Sequence, residues 1–318
     1  MIVSGDLSKK HFDKNSIVTV GTFDGVHLGH RKIIESLSDI AREKNLRKVV
    51  VTFNPHPRIA LSDNNAGIKI LTTIEEKLSI LEKLGVDIVY VINFTKEFAS
   101  TSAVDFYKNI LIDGIGLSHL VIGYDHMFGK NREGNIETIK HLSDEFGFTY
   151  HRVEEFRIHD EIVSSSAIRK LLTVNDISKA NEFLGSEYTL EGLVVVGDKR
   201  GSKIGFPTAN INPTEPHKLI PGRGVYYVRV MTQDEREYDG MMNIGYRPTV
   251  RYESEMFLEV NIFDFDKDIY GERIRIKFIE FLRDEIKFSS MEELIAQLKK
   301  DKEKSIKLSK TLNKSKQN

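Results

Sequence analysis

The sequence predicts two domains, a Rossmann-like α/β domain followed by a small antiparallel β-barrel that ends in a helix. Three observations predict this organisation. The length of 318 residues exceeds what one compact core usually holds. Short β-branched segments alternate with helical patterns through the first half, whereas short strands separated by turn residues fill 188–282. With 40% apolar and 29% charged residues, the composition is that of a globular chain.

The first half carries the strand and helix signals of a parallel sheet. Four apolar segments rich in β-branched residues are typical of buried strands: 16–20, 48–53, 87–92 and 117–122. Apolar residues recur with helical spacing over 28–43, and the capping-box pattern of 73–76 predicts the start of another helix. Because strands and helices alternate, right-handed crossovers should produce a parallel sheet with ligands at the carboxyl ends of its strands.

The character of the sequence changes near residue 186. Helical patterns over 165–172 and 176–184 end at Gly185, a typical helix stop, so the first domain is predicted to span 1–185. Short strands separated by turn residues follow, and they favour a small antiparallel barrel. The predicted barrel strands are 190–196, 224–232, 237–244, 257–263 and 273–281.

The carboxyl-terminal residues complete the second domain and then change in composition. An amphipathic helix over 291–298 is predicted to close this domain, which should span 186–300. Residues 301–318 are rich in lysine, serine and asparagine and contain few apolar side chains. They are therefore predicted to form a disordered tail.

Composition and charge restrict the classes of function. The formal net charge is −1, so no excess of positive charge favours a nucleic acid or an acidic membrane surface as a partner. The absence of cysteine excludes disulfides, thiolate metal sites and cysteine nucleophiles. No signal-peptide pattern and no run of about 18 apolar residues occurs, which favours the cytoplasm.

The first chemical motif is GTFDGVHLGH at residues 21–30, between the first predicted strand and the first predicted helix. It places His27 and His30 one turn apart at a helix N-terminus, where backbone N–H groups and the helix dipole favour an anion. Gly29 lets a nucleotide approach the backbone closely. This arrangement suits attack of a phosphate on the α-phosphorus of ATP, with the histidines stabilising charge. By itself, the motif is equally consistent with a turn that carries two solvated histidines.

A second segment strengthens the nucleotide interpretation. Ser164 and Ser165 provide hydroxyls at a predicted helix start, and Arg169 provides a cation one turn later. Hydroxyls and a guanidinium at a helix start suit the triphosphate of a nucleotide. A serine cluster before a helix is, however, more often only an N-cap.

Together, the motif at 21–30 and the segment SSSAIR at 164–169 resemble the nucleotidylyltransferase superfamily, in particular its FMN adenylyltransferase branch. The resemblance implies that Gly21 and Phe23 also belong to the ATP site. It further implies that the first domain carries the adenylyltransferase activity.

Two intervening segments also resemble the FMN adenylyltransferases. FNPHP at 53–57 and GYDHMFG at 123–129 follow predicted strands and resemble segments that line the flavin and nucleotide pocket. The matching positions imply flavin contacts for Phe53, His56 and Asp125. For His56, a loop histidine between two prolines is the alternative interpretation. Three positions depart from the usual family pattern: Ser166, His126 and Met127.

The second chemical motif is GDKRGSKIGFPTAN at 197–210. Glycines such as Gly197 let the loop close over phosphates, and Lys203 supplies positive charge. Thr208 and Asn210 offer hard oxygen ligands of the kind that Mg²⁺ accepts beside nucleotide phosphates. As a generic glycine-rich segment, this motif would more often be a hairpin connection. Two further basic residues of the loop are Lys199 and Arg200.

The second motif is similar to a signature of riboflavin kinases, and later segments match that family in order. NIGYRPT at 243–249 resembles its conserved turn, and Glu259 matches the glutamate that serves as general base for the riboflavin 5′-hydroxyl. Without the resemblance, an exposed strand glutamate is the alternative. Family members commonly have histidine where this chain has Asn261 and phenylalanine where it has Val250. The resemblance also implies a flavin contact for Arg283, for which a charged strand-to-helix connection is an equally good interpretation.

The matching motifs cover residues 15–298 in the order found in bacterial bifunctional riboflavin kinase/FMN adenylyltransferases. The resemblance implies that riboflavin and ATP give FMN and ADP at the barrel, and that FMN and ATP give FAD and pyrophosphate at the α/β domain. It implies Mg²⁺ for both reactions, and we expect a monomer or a weak homo-oligomer. A single-activity transferase and a flavin-binding regulatory protein that has lost one or both activities are the alternatives.

Overall fold

The structure is a computed structural model that describes residues 1–5, 11–62, 68–129, 134–197, 201–248 and 254–315. The chain forms two compact units, Met1–Ser165 and Ser166–Asn318. No helix of the described residues is long and apolar enough to cross a membrane.

The first unit is built on a six-stranded sheet in which all neighbouring strands are parallel. The strands are β1 (Ile2–Ser4), β2 (Ser16–Val20), β3 (Arg47–Asn54), β4 (Ile88–Asn93), β5 (Leu117–Gly123) and β6 (Thr149–Val153). They lie in the order β1-β4-β3-β2-β5-β6. The chain moves outward from β2 through β3 and β4 and then returns to the other side of β2. The carboxyl end of β2 is therefore the switch point at which such sheets bind ligands.

Helices cover both faces of this sheet. They are α1 (Leu28–Lys44), α2 (Pro57–Ala60), α3 (Ile74–Lys83), α4 (Ala103–Asp105), a π-type helix (Phe106–Ile115) and α5 (Ile136–Phe146). A 3₁₀ turn (Phe98–Ser100) and a short hairpin of β7 (Arg157–Ile158) and β8 (Glu161–Ile162) complete the unit. On β3, Val49 and Val51 belong to one core cluster and Val50 to the cluster on the opposite face. The Rossmann-like prediction is confirmed, and the predicted capping box is present at Thr73 and Glu76.

The second unit is built on a closed antiparallel barrel, as predicted. Its elements are α6 (Ser165–Thr173), α7 (Ile177–Leu184), β9 (Tyr188–Val195), β10 (Ala209–Pro213), β11 (Gly224–Met231), β12 (Glu237–Pro248), β13 (Ser254–Ile262), β14 (Arg273–Arg283) and α8 (Met291–Ser315). The barrel order is β10-β13-β12-β11-β14-β9, and β9 closes it by pairing with β10. Strand β10 begins at the end of the motif at 197–210 and was not predicted from the sequence.

The compact units divide the chain earlier than the predicted boundary at residue 185. Helix α7 packs on β14 and β9, and Asn181 fixes it there. The Asn181 amide donates to the Phe278 carbonyl at 2.8 Å, and its oxygen accepts from the Tyr188 N–H at 2.7 Å. Helix α7 therefore packs with the barrel, while a boundary at residue 185 stays a prediction.

The carboxyl-terminal residues 301–315 are helical, so the prediction of a disordered tail is wrong for them. Helix α8 continues through Ser315, and Asp301 and Ser309 are buried. Leu308 and Leu312, four residues apart, pack against a barrel cluster, and Ser309 donates to the Asp239 carboxylate at 2.7 Å. Two leucines and small serines form a narrow face, which the average composition of the segment does not reveal. Residues 316–318 lie outside the described residues.

Candidate active sites

The turn after β2 is held in a strained conformation by hydrogen bonds from another part of the chain. Phe23 and Val26 have positive φ angles of 46° and 37°, which is unfavourable for a bulky and for a β-branched residue. The buried Asp24 carboxylate accepts hydrogen bonds from the backbone N–H groups of Leu71 and Thr72 at 2.8 and 3.1 Å. These bonds fix the turn in the shape that leads the chain into α1.

The two motif histidines stack at the start of α1. His27 is the N-cap, and its Nδ1 accepts from the His30 N–H at 3.4 Å. The two ring centroids are 3.6 Å apart, and the Phe23 ring meets His30 edge to face at 5.2 Å. His30 Nδ1 is buried without a hydrogen-bond partner. Burial, with the charges of His27 and Lys77, holds the pKa of His30 well below its ordinary value. The site therefore presents a neutral His30 imidazole, stacked on His27, at a helix N-terminus.

Two glycines keep this site narrow. A Cβ on Gly29 would lie 3.2 Å from the His27 ring and 3.3 Å from the Val163 carbonyl oxygen. A Cβ on Gly21 would lie 3.2 Å from the Phe23 ring. Both contacts are closer than ordinary van der Waals packing, so larger residues would displace the rings that line the turn.

Of the predicted serine and arginine contacts, the structure brings Ser165 to the turn. The Ser165 hydroxyl donates to the Asp24 carbonyl at 2.8 Å. Ser164 precedes it, whereas Arg169 lies on α6 and belongs to the second unit. Ser166, a departure from the family pattern, is the second residue of α6.

A buried lysine beneath the turn was not predicted from the sequence. Lys77 is only 5% exposed, and its Nζ donates to Thr52 Oγ1 at 3.2 Å. Thr52 Oγ1 in turn donates to the Thr22 carbonyl at 3.2 Å. Burial lowers the pKa of Lys77 to about 8, although the Asp24 charge acts in the opposite direction. The sequence did contain a signal for this burial, because Lys77 lies four residues before Leu81 and therefore on the apolar face of the helix. A lysine is rarely buried in such a position without a role.

The predicted flavin residues of the first unit lie at the carboxyl ends of β3 and β5. Phe53 is buried in an aromatic cluster, with ring centroids 5.4, 6.2 and 5.9 Å from Phe94, Phe98 and Phe128. His56 caps α2, because its Nδ1 accepts from the backbone N–H of residue 58 at 3.2 Å. The flavin contacts of Phe53 and His56 remain predictions, and each residue also has a structural role.

Asp125 and the two departures beside it follow β5. Asp125 is exposed, as is Met127. His126 Nε2 lies 3.2 Å from the hydroxyl oxygen of Tyr107, which belongs to the buried core. Burial lowers the pKa of His126 to about 4, so the side chain is neutral at pH 7. At this position the histidine provides a polar partner for a buried phenol.

In the second unit, Glu259 lies between two asparagines on neighbouring strands. The register places Asn210 of β10 directly opposite Glu259 of β13, and Asn243 of β12 directly opposite it on the other side. Directly opposite residues of an antiparallel pair point to the same face. The three side chains therefore form a row across three strands.

The turn before β10 is fixed to the barrel by contacts that place Thr208 next to this row. The Asn261 amide donates to the Pro207 carbonyl at 2.6 Å. A Cβ at Gly197 would overlap the Asn210 side-chain amide, so the loop passes directly over that group. Asn261 thus has a structural role in this turn. Several predicted groups lie outside the described part of the chain: Lys199, Arg200, Val250 and the side chain of Lys203.

Arg283 forms a buried ion pair with the carboxyl-terminal helix. Its Nε and Nη2 donate to the Asp301 carboxylate at 3.0 and 2.8 Å, and Asp301 is only 3% exposed. Nη1 donates to the Asp284 carbonyl at 2.9 Å. The guanidinium therefore connects β14 to α8, and a flavin contact for Arg283 stays a prediction.

Two family models match the chain, and together they cover most of it. Residues 9–167 match the model described as FAD synthetase, and residues 184–309 match the model described as riboflavin kinase. Two similar relatives are bifunctional riboflavin kinase/FMN adenylyltransferases. The protein of Listeria monocytogenes is 41% identical over 292 residues, 92% of this chain and 91% of the relative. The Bacillus subtilis protein is 39% identical over 301 residues, 93% of each chain.

A solved structure covers nearly the whole chain as well. The crystal structure of a macrolide-efflux protein from Streptococcus pneumoniae is 32% identical, with a TM-score of 0.86 over 95% of this chain and 98% of that one. The order of the two family matches is the order of the two units, and the two chemical motifs, at 21–30 and 197–210, lie within the matching ranges. This chain belongs to the family of bifunctional riboflavin kinase/FMN adenylyltransferases.

Proposed function

We propose that the two reactions occur at separate sites. Adenylyl transfer from ATP to FMN takes place at the turn after β2, and phosphorylation of riboflavin takes place at the row of polar side chains on the barrel. The observation that carries this proposal is the difference in chemistry between the two sites. The first presents two stacked imidazoles at a helix N-terminus, with a buried lysine beneath the turn. The second presents a carboxylate, Glu259, between two amides.

Adenylyl transfer needs charge stabilisation and no proton acceptor, because the FMN phosphate is already ionised at pH 7. An oxygen of that phosphate attacks the α-phosphorus of ATP, and the bond to pyrophosphate breaks as the new P–O bond forms. His27, His30 and the free N–H groups of α1 bind the oxygens on which negative charge develops. The Lys77 ammonium adds positive charge beneath the turn. Gly21, Phe23, Gly29, Ser164, Ser165 and Arg169 complete the proposed ATP contacts.

Phosphorylation of riboflavin needs a base, because the attacking group is an alcohol. Glu259 accepts the proton of the 5′-hydroxyl as its oxygen attacks the γ-phosphorus, and ADP leaves. Gly197 and Lys203 are proposed to contact the phosphates. The flavin contacts that we propose are Phe53, His56 and Asp125 in the first unit and Arg283 in the second.

The barrel residues fit Mg²⁺ in their donor chemistry. The Thr208 hydroxyl and the Asn210 amide oxygen are hard oxygen donors, and the Asn210 amide is held in place by the loop at Gly197. These two residues would hold the ion together with the nucleotide phosphates. When bound, Mg²⁺ neutralises negative charge on the phosphates. We propose Mg²⁺ for both reactions.

We also propose a cytoplasmic enzyme that acts on riboflavin, FMN and ATP as a monomer or weak homo-oligomer and binds neither nucleic acid nor membrane. The net charge of −1 supports this setting, because it offers no electrostatic attraction to a polyanion. Sedimentation analysis across a range of protein concentrations tests the oligomeric state.

A chromatographic time course tests the central proposal. Purified protein is incubated with riboflavin, ATP and Mg²⁺, and FMN, FAD, ADP and pyrophosphate are followed together. We expect FMN to rise and then decline as FAD accumulates. Accumulation of FMN without FAD would contradict adenylyl transfer at the first site. Binding of flavin without release of ADP would favour a regulatory protein instead.

A further inference from the structure

The amide oxygen of Asn243 is a buried acceptor without a hydrogen-bond donor. Among the described side chains, three buried polar atoms lack a partner: His30 Nδ1, Arg47 Nε and Asn243 Oδ1. The guanidinium of Arg47 makes hydrogen bonds through its other nitrogens, and His30 belongs to the adenylyl-transfer site. Asn243 remains to be explained, since buried polar groups in proteins are nearly always paired.

The position of Asn243 explains why its neighbours in the described part of the chain offer it no donor. On β11, the residue directly opposite Asn243 is Val225, whose side chain is apolar. On β13, the residue directly opposite is Glu259, and a carboxylate only accepts hydrogen bonds when it is ionised. Because neither neighbour donates and no other described group does, a bound ligand can supply the missing donor.

The order of the row indicates which ligand supplies that donor. Asn210 flanks Glu259 on one side, next to the loop motif and Thr208, where the nucleotide and its metal ion are proposed to bind. Glu259 acts between the phosphoryl donor and the alcohol acceptor. Asn243, on the far side of Glu259, therefore faces the acceptor, and the flavin acceptor carries several hydroxyl groups on the chain that ends in the reacting 5′-hydroxyl.

We propose that Asn243 Oδ1 accepts a hydrogen bond from a hydroxyl of the ribityl chain of riboflavin and thereby positions the 5′-hydroxyl for Glu259. This inference rests on the proposed kinase site. It makes Asn243 a residue for recognition of the polyol chain, as distinct from the isoalloxazine ring or the nucleotide. A site built to satisfy a buried acceptor with a substrate hydroxyl discriminates against flavins that lack that hydroxyl.

Substitution of Asn243 in the full-length protein tests this inference with two flavins. Riboflavin carries the ribityl chain, whereas lumiflavin has the same ring system and a methyl group in place of that chain. Binding of each flavin is measured by quenching of its fluorescence, without turnover. For Asn243→Ala we expect riboflavin affinity to fall by about 10-fold and lumiflavin affinity to stay within about twofold.

Steady-state kinetics and a control variant distinguish recognition of the ribityl chain from a role in binding ATP or Mg²⁺. In Asn243→Ala the KM for riboflavin should rise, while the KM for ATP and the Mg²⁺ concentration that supports half-maximal rate stay unchanged. Asn212→Ala is the matched control, because Asn212 is exposed and lies on the same face of β10 as Asn210. Should Asn243→Ala fail to fold, Asn243→Leu removes the acceptor while filling its space and is expected to give the same selective loss.

Three outcomes would overturn the inference. Equal weakening of riboflavin and lumiflavin would indicate a general distortion of the flavin site. Unchanged riboflavin affinity would show that no ribityl hydroxyl bonds to Asn243. An increased requirement for Mg²⁺ would make Asn243 a ligand of the metal ion. Failure of the proposed kinase site is distinct from all three, since it would appear as retained kinase activity in a Glu259→Gln variant.

Discussion

The two proposed sites of this chain would bind the same cosubstrate, ATP, with different side chains. The site after β2 contains stacked imidazoles, a strained turn and a buried lysine, at the carboxyl edge of a parallel sheet. The barrel site contains a carboxylate between two amides, beside a glycine-rich loop. The difference follows from the nucleophile. A phosphate needs positive charge around it and no base, whereas an alcohol needs a base near its proton.

The substitution Glu259→Gln should give the largest loss of activity. An unchanged kinase rate would contradict the assignment of a base to the barrel site. Removing the base while keeping the shape should lower the kinase rate by about 10²–10⁴-fold. FAD formation from added FMN should be unchanged. FMN and FAD are measured separately, with riboflavin or FMN as the starting flavin. Loss of both activities in a folded variant would show that the reactions share one site.

His30→Ala is the reciprocal test at the first site. Loss of one group that stabilises transition-state charge should lower adenylyl transfer by about 10²–10³-fold, measured as pyrophosphate release from FMN and ATP. The kinase reaction should continue at its normal rate. His141→Ala is a matched control, because His141 is an exposed histidine on α5. Unchanged pyrophosphate release in His30→Ala would contradict the assignment of the first site.

Lys77→Met tests whether Lys77 serves adenylyl transfer or the stability of the fold. The pKa of Lys77 is about 8 in the folded protein and near 10.5 in the unfolded chain, so its charge is disfavoured by folding. The wild-type protein should therefore gain stability as the pH rises from about 8 to 10.5, because the folded state releases the proton first. Methionine removes the charge, and Asp24 keeps its backbone hydrogen bonds.

We expect Lys77→Met to lower adenylyl transfer by about 10-fold without lowering the midpoint of urea unfolding. Its stability should also lose the rise between pH 8 and 10.5. Lys83→Met is the control, because Lys83 lies on the same helix and is exposed. A marked loss of stability in Lys77→Met would identify Lys77 as a structural residue only.

Asp301→Asn tests how the barrel site is supported. The Arg283 guanidinium would lose its buried counter-charge, and loss of one partner of such a pair costs about 3–5 kcal/mol. We expect lower stability of the second unit in urea unfolding, with adenylyl transfer unaffected at low urea. Asp264→Asn is the control. Asp264 is exposed and forms an ion pair with Lys302, which follows Asp301 on α8. Equal effects of the two substitutions would contradict the buried ion pair.

His126→Phe should have the smallest effect at neutral pH and a clear one in acid. The pKa of His126 is lowered to about 4 in the folded protein, so the folded state favours the neutral imidazole. The stability that depends on this neutral form is lost as the pH falls from about 6.5 to 4. The loss amounts to up to about 3 kcal/mol. We expect His126→Phe to lose less stability than the wild type between pH 7 and 5. Parallel losses in the two proteins would exclude His126 as a source of acid sensitivity.

The sequence by itself determined the fold class and the location of both motifs. Helical and strand periodicity are local signals, and they predicted the parallel sheet, the barrel and the capping box at Thr73. The motif at 21–30 specified a helix N-terminus after a strand, because each of these features depends on neighbouring residues. The local signals were weaker for short strands, and β1, β6 and β10 were not predicted.

Only the tertiary structure decided which distant residues come together. The row of Asn210, Glu259 and Asn243 depends on strand register, which a shift of one residue would destroy. The burial of Lys77 depends on how α3 is rotated against the sheet, and the order of residues 301–315 depends on a barrel surface that accepts Leu308 and Leu312. These properties arise from contacts between segments far apart in the chain, so a local pattern can suggest them but does not decide them.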